Sequence, residues 1–245
     1  MIDEFIERSK DMPISAKGSN KKCYLFDNYA LLCGSFFDEE QMVQEKIKQL
    51  KALKEQGVNV VCLLETKNID NINYELQEKA QGEALFPFSL KNSENGELNY
   101  LKTLVSINSE DISFYEKMVC DWNTIMEFGL DIDPSKCTNF FYQKGSISFI
   151  DLSVMKLALD ERKKYQYKEM ASVLRGGGLL WLCKSVYPEA NQVVSSIYKK
   201  LGMAVLNTGG NIQEYIQQVD NDSQYHLDQY FSSYLNDSNH KTYNR

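Results

Sequence analysis

The chain has 245 residues, 43% hydrophobic and 25% charged, proportions that suit one large domain or two lobes around a substantial core. Its net charge of -7 argues against nucleic acid as a ligand, because the phosphate backbone rewards clustered Lys and Arg. The longest apolar runs lie near GGGLLWLC and are too short to span a bilayer.

The opening MIDEFIERSKDMP reads as a short amphipathic helix with Ile2, Phe5 and Ile6 on one face, acidic in character and unlike a signal peptide. ISAKGSNKKCYLFDNYALLCG then reads as strand, glycine turn, strand, tight turn and strand, with Asp27 and Asn28 as the tight turn. A helix follows. Asp38 and Gln41 form a capping-box pattern, Val43, Ile47, Leu50 and Leu53 recur at helical spacing, and Gly57 ends it. VNVVCLLE and INYELQE are expected as strands around the polar turn TKNIDN, and SLKNSENGELN as a loop. Residues 110 to 128 give an amphipathic helix, with Phe114, Met118, Val119, Trp122, Ile125 and Met126 on one face and Gly129 as its cap. TNFFY and SISFI read as short strands around QKG, where Gly145 takes positive φ. From Ser153 the pattern is mostly helical, broken by RGGG, NTGG and Pro188, and YHLDQYFSSY reads as a packed amphipathic helix.

The six cysteines, Cys23, Cys33, Cys62, Cys120, Cys137 and Cys183, include no C-x-x-C pair. They read as buried, reduced thiols of a cytoplasmic protein. His226 and His240 are the only histidines, so zinc is not expected.

The stretch DIDPSKCTNFFYQKGSISFIDL, residues 131 to 152, holds the parts that phosphoryl transfer needs. That chemistry rests on positioning and charge compensation. A carboxylate orients the acceptor hydroxyl, a cation offsets phosphoryl charge, and an Asn and an Asp hold magnesium. Asp133 is the candidate base, Lys136 the cation, Asn139 one metal ligand and Asp151 the principal one. A hairpin between Asn139 and Asp151 returns the chain and brings both ligands to one end of it.

These residues resemble the protein-kinase-like superfamily, in a form closest to bacterial small-molecule kinases of the aminoglycoside and choline phosphotransferase type. DPSKCTN resembles the catalytic loop, with its K-x-x-N spacing, and NFFYQKGSISFIDL the hairpin that ends in the metal Asp. Upstream, SAKGSNKKCYLF resembles the glycine loop with its strands, and YELQEKAQG a fifth strand entering a hinge. The resemblance implies an α+β, bilobal fold. A small β-rich N-lobe would span residues 1–80, and a larger, mostly helical C-lobe residues 81–245. It also implies ATP and Mg2+. Gly18 would lie in the phosphate loop, with Lys17 or Lys21 as phosphate contacts. Glu45 would pair with such a lysine, and Gln77, Glu78 and Lys79 would hold adenine by their backbone.

The sequence departs from the family in two ways. Asp133 stands one residue further from Asn139 than the family spacing, with Asp131, further off still, as the alternative base, and the place of the strand lysine holds Leu32 or Cys33. Lys17, Lys21 and Lys22 are the candidates to replace it. The expected function is an ATP- and magnesium-dependent phosphotransferase acting on an unidentified hydroxyl acceptor, a small molecule or a protein. The alternatives are a pseudokinase, or nucleotide-binding regulatory module, and a nucleotidyl transferase.

Overall fold

The computed structural model describes residues 1–17, 21–35, 40–85, 96–133, 139–174, 190–219, 224 and 226–234. The chain is α+β and divides into two compact units. Unit 1 comprises Met1–Gly82, Thr124–Ile132 and Ser148–Lys156; unit 2 comprises Glu83–Asn123, Asp133–Ile147 and Leu157–Arg245. Unit 1 thus takes in two segments from the later part of the chain.

Unit 1 is built on an antiparallel sheet in the order β1-β2-β3-β5-β4. Its strands are β1 (Ala16–Lys17), β2 (Lys21–Leu25), β3 (Tyr29–Gly34), β4 (Leu63–Ile69) and β5 (Ile72–Glu78). Helix α1 (Ile2–Ser9) precedes the sheet, and α2 (Glu40–Glu55) connects β3 to β4. Asp27 and Asn28 make the β2–β3 turn, closed by Phe26 N–H donating to Tyr29 O at 2.9 Å. Helix α2 buries Val43, Leu50 and Leu53 and ends where Gly57 adopts φ +81. There Val58 N–H donates to Leu53 O at 3.1 Å, the bond of a glycine-terminated helix.

One boundary differs from the sequence reading. VNVVCLLE does not form a strand throughout, because β4 begins only at Leu63 and runs on through Thr66, Lys67 and Asn68. The turn is shorter than expected: Asp70 and Asn71 both take positive φ, and Ile69 pairs directly with Ile72. Asp and Asn tolerate that conformation, and two such residues close a hairpin whose twist matches its strands. Residues 58–62 serve another contact. Val60 bridges in parallel to Phe149, with Phe149 N–H donating to Asn59 O and Val61 N–H to Phe149 O. Also in unit 1, β7 (Leu130–Asp131) pairs with β10 (Ser153–Val154), Ser153 facing Asp131.

Unit 2 is mostly helical. Helix α3 (Gly96–Ser109) was expected as loop in its first part, and it buries Leu101, Leu104 and Ile107. Helix α4 (Ile112–Glu127) starts at Asp111, whose carboxylate accepts from Ser113 and Phe114 N–H groups. It buries the expected face, Trp122 stacking on Phe140 at 6.0 Å. Strands β6 (Glu83–Ala84), β8 (Phe140–Gln143) and β9 (Ser146–Phe149) form a sheet in the order β6-β8-β9. Gly145 turns β8 into β9 at φ +79. Helices α5 (Leu159–Lys163), α6 (Gln166–Leu174), α7 (Ala190–Asn207) and α8 (Ile212–Gln218) follow. Residues 226–234 are helical and bury Leu227 and Phe231. Phe231 lies so close to Gly202 of α7 that an added Cβ would sit 2.6 Å from its ring. No described helix is long and apolar enough to cross a membrane. The cysteines depart from expectation: of the four described, only Cys62 is buried, Cys23 and Cys33 are half-buried and Cys120 is exposed. Strand and helix positions next to apolar residues point to the accessible side as readily as to the core.

Candidate functional site

The sheet of unit 1 has two unlike faces, and strand alternation decides which side chain lies on each. Tyr24, Leu31 and Leu76 face one another across β2, β3 and β5. They join Ile2, Phe5, Ile6 and Phe26 in an apolar cluster under α1. On the opposite face the register aligns Cys23 with Leu32 and Leu32 with Glu75, and Ala30 with Gln77. Lys21 stands opposite Gly34 on this second face.

Here Lys21 makes two ion pairs. Its Nζ lies 3.1 Å from Oε2 of Glu75 and 3.3 Å from Oδ1 of Asp151. The partners differ in environment, for the Glu75 side chain is 8% exposed and that of Asp151 40%. A buried carboxylate without a cation is costly, so Glu75 dictates where the ammonium rests. Burial works against the charge on Lys21, yet the attraction of Glu75 and then Asp151 outweighs it and holds the ammonium above its usual pKa. Asp151 adopts φ +54, a region that non-glycine residues rarely occupy and that Asp tolerates better than most. The chain turns there between β9 and β10, leaving the carboxylate on Lys21.

The other expected site residues are distributed as follows. Leu32, at the place of the strand lysine, sits between Cys23 and Glu75, while Cys33 alternates onto the α1 side. Lys17 ends β1 opposite Lys22. Gly18 and Lys136 lie outside the described residues. Glu45 is exposed on α2, and Lys21 pairs with Glu75 in place of it. Gln77 is the β5 partner of both Ala30 and Leu63. Glu78 and Lys79 use their backbone N–H groups inside unit 1, donating to Cys62 O and Asn28 O at 3.0 Å each. The Glu78 carboxylate also binds Lys54 at 2.5 Å. In unit 2, Asp133 is half-buried and Asn139 is 7% exposed.

The magnesium expectation can be set against this chemistry. Magnesium takes hard oxygen ligands and keeps several waters, so it needs an accessible carboxylate. Asp151 supplies one. Asn139 is buried, and Nδ2 of its amide has no hydrogen-bond partner. The two ends of an amide are assigned from the surrounding network, so that unfilled end suits a coordinating carbonyl oxygen equally. Each residue, taken within its own unit, therefore carries a group of the kind the ion accepts. Among the described residues no cluster of three or more His, Cys, Asp or Glu could hold a metal.

Glu75 is the residue that sequence reasoning missed. INYELQE alternates so that Glu75 shares a face with Asn73 and Gln77, which reads as the wet side of a strand. Only the strand order, which puts β5 beside β3 with β2 beyond it, brings Lys21 within reach. Compared with protein-family models and with curated proteins, the sequence matches none.

Proposed function

We propose that this chain is an ATP- and magnesium-dependent phosphotransferase with a bilobal, protein-kinase-like fold, working in a reducing cytoplasm on a hydroxyl acceptor that is a small molecule or a protein. The observation that carries the proposal is the Lys21 triad. The sequence lacks a cation at Leu32 and Cys33, and Lys21 of β2 stands on the same sheet face as Leu32, paired with a buried carboxylate. Its contact with Asp151 puts it beside the residue read as the principal metal ligand. The succession of three strands, a helix and two strands adds support, since it follows the order that the resemblance implies.

ATP would supply the phosphoryl group, and magnesium the charge compensation on its phosphates. Lys21 would bind phosphate oxygens while Glu75 fixes its position. Asp151 and Asn139 would hold the metal, Asp133 would orient the acceptor hydroxyl, and Lys136 would offset charge on the group in transit. Because the N–H groups of Glu78 and Lys79 are engaged within unit 1, a base at Gln77–Lys79 would have to be recognised through carbonyl groups or side chains.

That engagement favours a second reading, a nucleotide-binding regulatory module with little turnover, and the displaced Asp133 agrees with it. Thermal unfolding with and without ATP and magnesium tests binding. At a hundredfold excess over Kd the midpoint should rise by about 5 to 10 °C. The rise should need magnesium and should vanish in Asp151→Asn. No shift at millimolar ATP would falsify both readings. A shift with no γ-phosphate release or transfer would select the second.

A further inference from the structure

Two carboxylates that pair with Lys21 differ in how readily it can leave them. Separating it from Glu75 strands a carboxylate that is 8% exposed, whereas separating it from Asp151 returns to water a carboxylate that is 40% exposed. The two costs are unequal, because unpaired charge is penalised in proportion to its desolvation. The Asp151 oxygen that Lys21 contacts, Oδ1, belongs to the group that the proposed function assigns to magnesium. An ammonium and a divalent cation cannot share that oxygen without repelling each other.

From these contacts we propose, resting on the phosphotransferase reading, that Lys21 is a built-in counter-ion that a divalent cation must displace from Asp151. Glu75 is the fixed anchor about which the ammonium moves, and it is a positioning residue. In the cation-free protein Lys21 neutralises both carboxylates. When the metal arrives, Asp151 exchanges one cation for another, and Lys21 stays on Glu75 with donors released for phosphate oxygens. Lysine suits this role, since its ammonium is a compact charge on a flexible stem. Metal entry and liberation of the phosphate-binding lysine then become one event, so that metal and nucleotide each favour the other.

The two residues on Asp151's side of this exchange give substitutions of opposite sign. Manganese alone, without nucleotide, is titrated into the full chain by calorimetry. Lys21→Met removes the competitor, and binding should tighten about fivefold, the equivalent of a partly exposed ion pair. Glu75→Gln removes the anchor, so Lys21 should compete harder for Asp151, weakening binding by a similar factor. Asp151→Asn should abolish it. Should Lys21→Met fold poorly, the double variant with Glu75→Gln removes both charges together and should still bind more tightly than the wild type. A general loss of packing would weaken all variants alike. Equal or weaker binding in Lys21→Met and in the double variant overturns the proposal, as does an absence of manganese binding throughout. The wild type's ATP–magnesium shift is then read separately: if it is present and is lost in Asp151→Asn, the phosphotransferase reading stands without the counter-ion exchange.

Discussion

The two faces of the unit 1 sheet are made by the same strands and do opposite things. Beneath α1, Phe5 meets Phe26 edge-on at 4.7 Å and Tyr29 at 5.2 Å, and Leu31 and Leu76 are fully buried. Arg8 rests over the Phe26 ring at 4.9 Å, so the helix is held by apolar area with a cation laid over it. On the other face a charge is withdrawn from water to hold a lysine in place. The first face stabilises the sheet; the second uses part of that stability to keep a polar group where hydration alone would not leave it.

The largest effect should come from breaking the apolar face. Phe5→Ala removes a buried aromatic from the centre of the α1 cluster and should cost about 3 to 5 kcal/mol, measured as a lowered urea midpoint. The proposed ATP–magnesium response of the molecules still folded should not change. If that response disappeared with the stability, the two faces would not be separable.

Smaller effects are expected on the polar face, and there they should be non-additive. Lys21→Met or Glu75→Gln alone should cost about 2 kcal/mol, below the range for fully buried pairs because Lys21 is partly accessible. The double variant should recover most of the loss, giving a coupling energy near that size in a double-mutant cycle. Glu45→Gln should change stability by no more than about 0.5 kcal/mol. A large loss there would return the anchoring role to α2.

The smallest effect is a pH dependence that belongs to the apolar side. Burial, and then the neighbouring Cys33, raise the hydroxyl pKa of Tyr24 and Tyr74. The folded state therefore keeps these protons where the unfolded chain loses them. Their contribution is complete below the unfolded value of about 10 and declines as pH rises through the folded one. Denaturant midpoints from pH 9 to 11 should fall more steeply in the wild type than in a Tyr24→Phe, Tyr74→Phe variant.

These contrasts also explain what could be read from the sequence. Local patterns were legible wherever one residue type enforces one geometry. Gly57, Gly129 and Gly145 all take the positive φ that ends an element or turns a hairpin, and the faces of α1, α2 and α4 follow from their apolar spacing. Helix α3 was hidden because GELN and the polar run before it resemble a loop, although Leu101, Leu104 and Ile107 carry its buried side. The candidate site was legible only in part. Asp151 and Lys21 stood out by type and by position. Glu75 did not, because its meaning depends on which strand lies two places away, and nothing in a seven-residue strand records that.

Gly34 gives the lysine's reach a consequence for recognising related chains. To meet Glu75 on β5, the Lys21 side chain has to cross β3, and the residue opposite it on β3 is Gly34, followed on β5 by Asn73. Neighbouring strands lie about 4.8 Å apart, so a side chain on the middle strand would stand in the way of an extended lysine. The signature of this arrangement is three dispersed positions, Lys21, Gly34 and Glu75, expected to change together. A lineage that moved its lysine back to β3 would be released from both the glycine and the strand glutamate, and its sequence would show neither.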